Sequence, residues 1–158
     1  MISKTKYIQR FLWFFLASLA FYSCRKDDIC TAGGTPKLGL AFYDFTQPDT
    51  LKKVDNLTVL ALPGVDTLIH NASLDELKLP LNVNTDSCRF VLMDDQNPDT
   101  LQFNYTRQRA FVSKSCGYKI IFHQLTIVLQ QDNDLWIKQI DIIKTTVQND
   151  TIHVKILH

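Results

Sequence analysis

From Pro36 onward apolar and polar side chains alternate with a period of two, and no stretch long enough for an ordinary helix carries a 3.6-residue period. Leu38, Leu40 and Phe42 alternate with Lys37, Gly39 and Ala41. Leu77, Leu79 and Leu81 alternate with Lys78 and Pro80, and Leu101, Phe103 and Tyr105 with Thr100, Gln102 and Asn104. Each pattern predicts a half-buried strand with one face inward. Further β candidates are Leu57 to Leu62, Thr67 to His70, Cys88 to Met93, Tyr118 to Phe122, Thr126 to Gln131, Trp136 to Thr146 and Ile152 to Leu157. Turn chemistry separates them at Gln47-Pro48-Asp49, Pro63-Gly64, Asn82 to Asp86, Asn97-Pro98-Asp99, Asp132-Asn133-Asp134 and Gln148-Asn149-Asp150. About seven to ten short strands, each with one apolar face to bury, predict two packed antiparallel sheets. The expected fold is all-β: an antiparallel β-sandwich, immunoglobulin-like or transthyretin-like. The Cys, Trp, Cys series of antibody domains is missing, because Trp136, the one tryptophan after residue 24, follows every cysteine. Topology is therefore left open.

Residues 1–23 have the three parts of a bacterial secretory signal: a basic start with Lys4, Lys6 and Arg10, an apolar run from Phe11 to Tyr22, and the small Ser23. A run that short falls below the roughly 20 apolar residues that cross a hydrocarbon core, so cleavage is expected and not a membrane span. Phe21, Tyr22, Ser23 and Cys24 resemble a lipobox, with Phe21 and Tyr22 bulkier than the usual pattern. Cys24 is thus the expected lipidation site, its thiol taking a diacylglycerol group and its freed amine a further acyl chain such as palmitate. Two or three chains anchor stably, at about 0.8 kcal/mol per buried methylene, where one is marginal. The alternative is an ordinary signal peptide with Cys24 retained for a disulfide.

The signal holds three of the 17 basic residues and none of the 16 acids, so the chain from Cys24 has 14 basic against 16 acidic side chains, a formal net of −2. Nothing in that balance attracts nucleic acid, and no polybasic patch for anionic lipid stands out. Residues 24–36 form a lipidated cysteine and polar tether, and residues 37–158 one domain with an ample supply of core side chains. Lys26-Asp27-Asp28, just after Cys24, looks like the signal that sends Bacteroidota lipoproteins to the outer face of the outer membrane; a plain charged spacer is the alternative. The expected address is the outer membrane, lipid-anchored, with surface exposure.

With Cys24 assigned to lipid, Cys30, Cys88 and Cys116 remain, enough for one disulfide and one spare thiol. Cys88 shares a strand face with Phe90 and Leu92, which suits a buried, inert thiol. Cys30 and Cys116 both sit beside loop signals, and joining them would pin the tether to the sheet. They are the expected pair, with a Cys88 linkage the competing one.

Pro48-Asp49-Thr50-Leu51 recurs as Pro98-Asp99-Thr100-Leu101, and Asp-Thr-aliphatic occurs again at Asp66-Thr67-Leu68 and Asp150-Thr151-Ile152. Local turn chemistry explains the recurrence better than a duplicated half-domain. The same tripeptide resembles the O-glycosylation signal of exported Bacteroidota proteins, which makes Thr50, Thr67, Thr100 and Thr151 candidate glycan sites.

Several dispersed motifs occur in a fixed order: Asp27 to Cys30 with Thr31, Gly34, Thr35 and Pro36, then Phe42-Tyr43-Asp44, Leu79-Pro80-Leu81 and Asp99-Thr100-Leu101 with Phe103 and Tyr105. Phe111-Val112-Ser113 and Cys116-Gly117-Tyr118 follow. Together they resemble an uncharacterised family of Bacteroidota outer-membrane lipoproteins, domain of unknown function 6452. The resemblance implies class and location and supplies no active site. It also implies a pairing of the cysteine after Asp-Asp-Ile with the one before Gly-Tyr.

Catalytic signatures are thin. Gly-x-Ser-x-Gly, His-Glu-x-x-His, a phosphate-binding glycine loop and Cys-x-x-Cys are all missing. His70, His123, His153 and His158 are scattered singly and read as ordinary surface or strand residues, with no metal or other cofactor expected. Asp94-Asp95 and Asp132-Asn133-Asp134 carry calcium-type oxygens but read better as bare turns, without the twelve-residue loop and its distal glutamate. Glu76 is the single glutamate. Two function classes follow. One is a non-enzymatic envelope lipoprotein, a binding or assembly subunit contacting a glycan or envelope protein; the other is a small envelope hydrolase using aspartates gathered by the fold. A flat aromatic patch involving Tyr43, Tyr105, Tyr118 or Trp136 favours binding, and convergent carboxylates or histidines favour hydrolysis.

Overall fold

Alternation alone places most of the strands, but their pairing decides what they build. A computed structural model of the chain describes residues 29–31, 33–64, 66–130 and 134–158. Residues 1–23, read from the sequence as an export signal, Cys24, and Arg25 to Asp28, read as part of a tether, lie outside them. The described residues form strands β1 (Leu38–Tyr43), β2 (Val54–Leu62), β3 (Asp66–Leu74), β4 (Glu76–Leu79), β5 (Ser87–Asp94), β6 (Asn97–Ser113), β7 (Gly117–Leu129), β8 (Gln139–Ile142) and β9 (Ile152–Leu157), and no helix. One sheet has the order β4-β1-β9-β8 and the other β3-β2-β5-β6-β7. Every pair is antiparallel except β1 with β9. Two sheets packed face to face over one core make the chain an all-β sandwich.

The core follows from the period-two pattern. Leu38, Leu40 and Phe42 of β1 meet Leu57 and Val59 of β2, Phe90 and Leu92 of β5, Leu101 and Phe103 of β6, and Phe122 and Leu125 of β7, in one buried cluster. Phe42, Phe103 and Phe122 are fully enclosed. Each such side chain contributes about 1.5–3 kcal/mol relative to an exposed one. β1 lies between β4 and β9 within its sheet, and Gly39 and Ala41, which alternate with the core residues, are buried as well.

Two segments depart from the expected pattern. Asn97-Pro98-Asp99 is strand, not turn: the two-residue loop is Asp95-Gln96, closed by the Asp94 and Asn97 pair, with Asp95 at φ 56°. Pro98 pairs with Met93, while β7 joins β6 only from Leu101 onward, so no ladder bond is lost on the proline's open side. Asp99 is fully buried, and its Oδ2 accepts the Ile137 amide at 2.8 Å. That bond explains the second departure. The Trp136 to Thr146 candidate shortens to Gln139–Ile142, because Trp136 and Ile137 bond sideways into the other sheet, the indole Nε1 donating to the Leu92 carbonyl at 3.2 Å. Tyr118 to Phe122 and Thr126 to Leu129 fall on one strand, β7, with Gln124 at φ 55° where the register shifts, while Gln131, the expected end of the second candidate, lies outside the described residues.

Candidate functional site

The longest hairpin outruns its sheet. The β5 ladder ends where Ser87 meets Asn104, yet β6 continues to Ser113 with β7 beside it. Arg107 marks the root: its Nε donates to Asp86 at 2.7 Å and a terminal nitrogen to the Val83 carbonyl at 2.8 Å. Beyond it the hairpin runs on for about 20 Å at 3.3 Å per residue. Its turn holds Cys116, whose amide is received by the Ser113 hydroxyl at 3.0 Å, followed by Gly117 at φ 69°.

Cys30 is bonded to Cys116, with Cα atoms 4.9 Å apart and a sequence separation of 86. Thr35 then lies against the arm. The Thr35 hydroxyl receives the Ile120 amide at 3.1 Å, and the Lys37 amide donates to Asp150 at 2.8 Å. The Phe122 and Val147 backbones exchange bonds at 2.8 and 3.1 Å, and the Leu125 amide reaches the Thr145 carbonyl. β7 is last in its sheet, and these contacts cover the edge it would otherwise present for pairing with another chain.

The inward face of the sheet continues onto the arm, past the end of the opposing sheet. Phe122 lies against Tyr105 in the core, ring centroids 5.0 Å apart. Ile120 and Tyr118 follow on the same face at two-residue steps, opposite Arg109 and Phe111. Phe111 is 61 % exposed and Tyr118 60 %. Their rings meet edge to face at 5.4 Å, and the Arg109 guanidinium sits 4.9 Å from the centre of the Tyr118 ring. From Thr106 to His123 the sequence has Arg107, Arg109, Lys114 and Lys119 and no acid. The arm is therefore a basic, aromatic projection on a domain whose net charge is negative.

At the arm's root lies a hollow of about 250 Å³ bordered by Pro63, Asn82, Ser87, Cys88, Arg89 and Gln102. Cys88 is the free cysteine of the described residues, half-buried beside the core. Burial pushes its thiol up, and it pushes up the Tyr105 hydroxyl too, which donates to the Asn82 carbonyl at 3.0 Å. Both groups stay protonated at neutral pH, so the hollow offers no activated nucleophile.

The other sequence candidates do not converge. His70 is exposed on β3; His123 bonds Gln108 at 2.8 Å; His153 is fully buried, its Nδ1 receiving the Gly39 amide; His158 packs edge to face against Phe42 and Trp136. Asp94, Asp95 and Asp134 do border one open hollow, where the Asn97 side-chain amide donates to the Asp134 carbonyl at 2.8 Å, while Asp132 and Asn133 lie outside the described residues. Among the described residues no group of three or more His, Cys, Asp or Glu side chains could hold a metal ion. Thr50 and Thr67 are exposed, whereas Thr100 and Thr151 are half-buried within β6 and beside β9. Of the four aromatics marked for a patch, Tyr105 and Trp136 belong to the core, Tyr43 is half-buried under Lys155, and Tyr118 is open. Its companions Phe111 and Arg109 were legible only as an aromatic after a charged run, Arg107-Gln108-Arg109-Ala110-Phe111, the signal of a strand that has left its core.

No helix among the described residues is long and apolar enough to cross a membrane. No curated protein and no solved structure matches the chain. The model of a family of unknown function, DUF6452, matches residues 56–158, a span that takes in β3 to β9, most of β2 and the whole arm, and the chain belongs to that family.

Proposed function

We propose that the protein is a lipid-anchored component of the bacterial cell envelope, acylated on Cys24 at the outer membrane of a Bacteroidota cell. There it serves as a non-enzymatic binding or assembly subunit, with the β6–β7 arm as its contact surface. The observation that carries this reading is the exposed Phe111 and Tyr118 pair on an arm fastened by the Cys30 and Cys116 disulfide to the segment following the expected anchor. A disulfide of that kind persists in an oxidising compartment, in keeping with an export signal at residues 1–23. An exposed aromatic pair supports binding over hydrolysis, since it has large area and a cation beside it but no activated acid, base or nucleophile. Thr50 and Thr67, both open to solvent, are the positions where glycan is expected. The test is fractionation of cells expressing the wild type and Cys24→Ala, with fatty-acid labelling and crosslinking in intact membranes. The wild type is expected in the membrane fraction, labelled and crosslinked through the arm. Equal, unlabelled membrane retention of both forms would sink the anchoring claim.

A further inference from the structure

We infer that the tip of the β6–β7 arm is a second membrane contact, seating Phe111 and Tyr118 in the interface of an anionic bilayer with Arg109 and Lys114 among its headgroup phosphates. This rests on acylation of Cys24. Three observations point to a lipid surface as the occupant. First, position: the chain from Cys24 to Cys30 spans at most about 20 Å even when fully extended, and Cys30 is bonded to the turn of the arm. An acylated Cys24 therefore keeps the tip, and not another edge of the sandwich, within that distance of the bilayer. Second, chemistry: Phe111 and Tyr118 are each about three-fifths exposed, and their rings form an apolar cluster with the Arg109 cation beside it, the composition that partitions to the headgroup level. Third, charge: the whole chain after Cys24 carries a formal −2, yet the arm carries cations alone. Counted along the sequence the basic residues look dispersed. The hairpin register sets Arg109, opposite Ile120, two pairs before Phe111 and Tyr118, and Lys114 is exposed in the turn itself, while Lys119, opposite Ala110 on the other face, donates to the Gln148 carbonyl at 3.4 Å.

The consequence is orientation. One acylated residue leaves a domain free to tumble on its tether, whereas a seated arm fixes which end of the sandwich faces away. Charge attraction works over about 10 Å at 0.1 M salt, a separation that a tether of at most about 20 Å lets the tip reach, and the aromatic pair completes the contact. Each cation contributes near an anionic surface about the equivalent of a fivefold change in the ratio of seated to free arm.

The experiment uses the full mature protein, purified with its acyl chains and reconstituted into vesicles of phosphatidylcholine with or without phosphatidylglycerol, each prepared with brominated or ordinary lipid. Phe111→Trp supplies a reporter at the tip, and Trp136, enclosed in the core, is the internal control. Quenching of the Phe111→Trp emission by brominated lipid, stronger with phosphatidylglycerol and weakened by Arg109→Gln with Lys114→Gln, is the expected result. Quenching should also weaken in 0.5 M salt. Acylated, vesicle-bound protein whose tip emission ignores brominated lipid overturns the inference and leaves the anchoring intact. Protein with no acyl mass on Cys24 overturns both, and the mass spectrum tells the two failures apart. Because Phe111 is exposed, the substitution leaves the fold undisturbed, which an unchanged melting temperature verifies.

Discussion

The Gly39 amide donates to Nδ1 of His153 at 3.3 Å, across the parallel pair of β1 and β9. An imidazole that accepts there carries its proton on Nε2 and is neutral. The ring is fully enclosed, and burial, followed by the Lys144 ammonium, holds its pKa below the ordinary histidine value. Burial does the same to His158. In the unfolded chain both rings return to about 6.5, so the unfolded state binds more protons in weak acid. Their stabilisation is complete above that value and is lost as pH falls below it towards the folded-state pKa. Thermal melts should shift downward from pH 7.5 to pH 5, and His153→Leu should flatten the slope. Asp44, held at about 2 by the Thr46 hydroxyl and then the Thr46 amide, loses its part only in stronger acid, as pH falls from about 4 towards 2.

Gly39 has a second constraint on the same strand. A Cβ built there lies 2.1 Å from the Thr151 carbonyl oxygen and 2.8 Å from its carbon, both backbone atoms. Neither can rotate away, so Gly39→Ala must separate β1 from β9. Urea unfolding should show a loss of about 3 kcal/mol, at the upper end of the range for overpacked cores.

Asp99 ties the Trp136 loop to β6 through the Ile137 amide. Asp99→Ala leaves that amide buried without its acceptor, a cost of about 1–3 kcal/mol. The expected signature is specific: reduced stability together with a red-shifted Trp136 emission, as the indole loses its seat against Leu92.

The disulfide closes a long loop, and removing it should destabilise by at most about 4.5 kcal/mol in the chain-entropy model. Cys30→Ser with Cys116→Ser should melt lower than the wild type, and non-reducing peptide mapping should recover Cys30 with Cys116. A peptide linking Cys88 would contradict the assignment. In native protein Cys88 should resist alkylation, because burial raises its thiol pKa, and it should react on unfolding.

How far the sequence discloses this molecule varies by segment, for physical reasons. The Ile152 to Leu157 strand is observed with those bounds, and Leu38 to Phe42 to within one residue, because both occupy a core-forming sheet where burial writes itself into the residue types. Leu101 to Tyr105 is the visible third of a much longer strand. Past Tyr105, β6 leaves the sandwich, neither of its faces is fully buried, and the alternation that marks strands disappears into Thr106 to Arg109. Asp99 hides for the opposite reason: Pro-Asp is turn chemistry in most contexts, and only the tertiary bond to Ile137 makes it a core residue. The same holds for the site. Cys30 and Cys116 were readable from their loops, while the Phe111, Tyr118 and Arg109 cluster depends on a hairpin register that no local pattern encodes.

The central claim is that Cys24 is the acylated N-terminus of a protein whose Cys30 is fixed to Cys116. Intact mass and N-terminal peptide mass of the mature protein, isolated from membranes without reductant, test it most directly. The account predicts a chain starting at Cys24 with a diacylglycerol thioether and an amide-linked acyl chain, with Cys30 joined to Cys116. A chain starting elsewhere, or an unmodified Cys24 thiol, would contradict it.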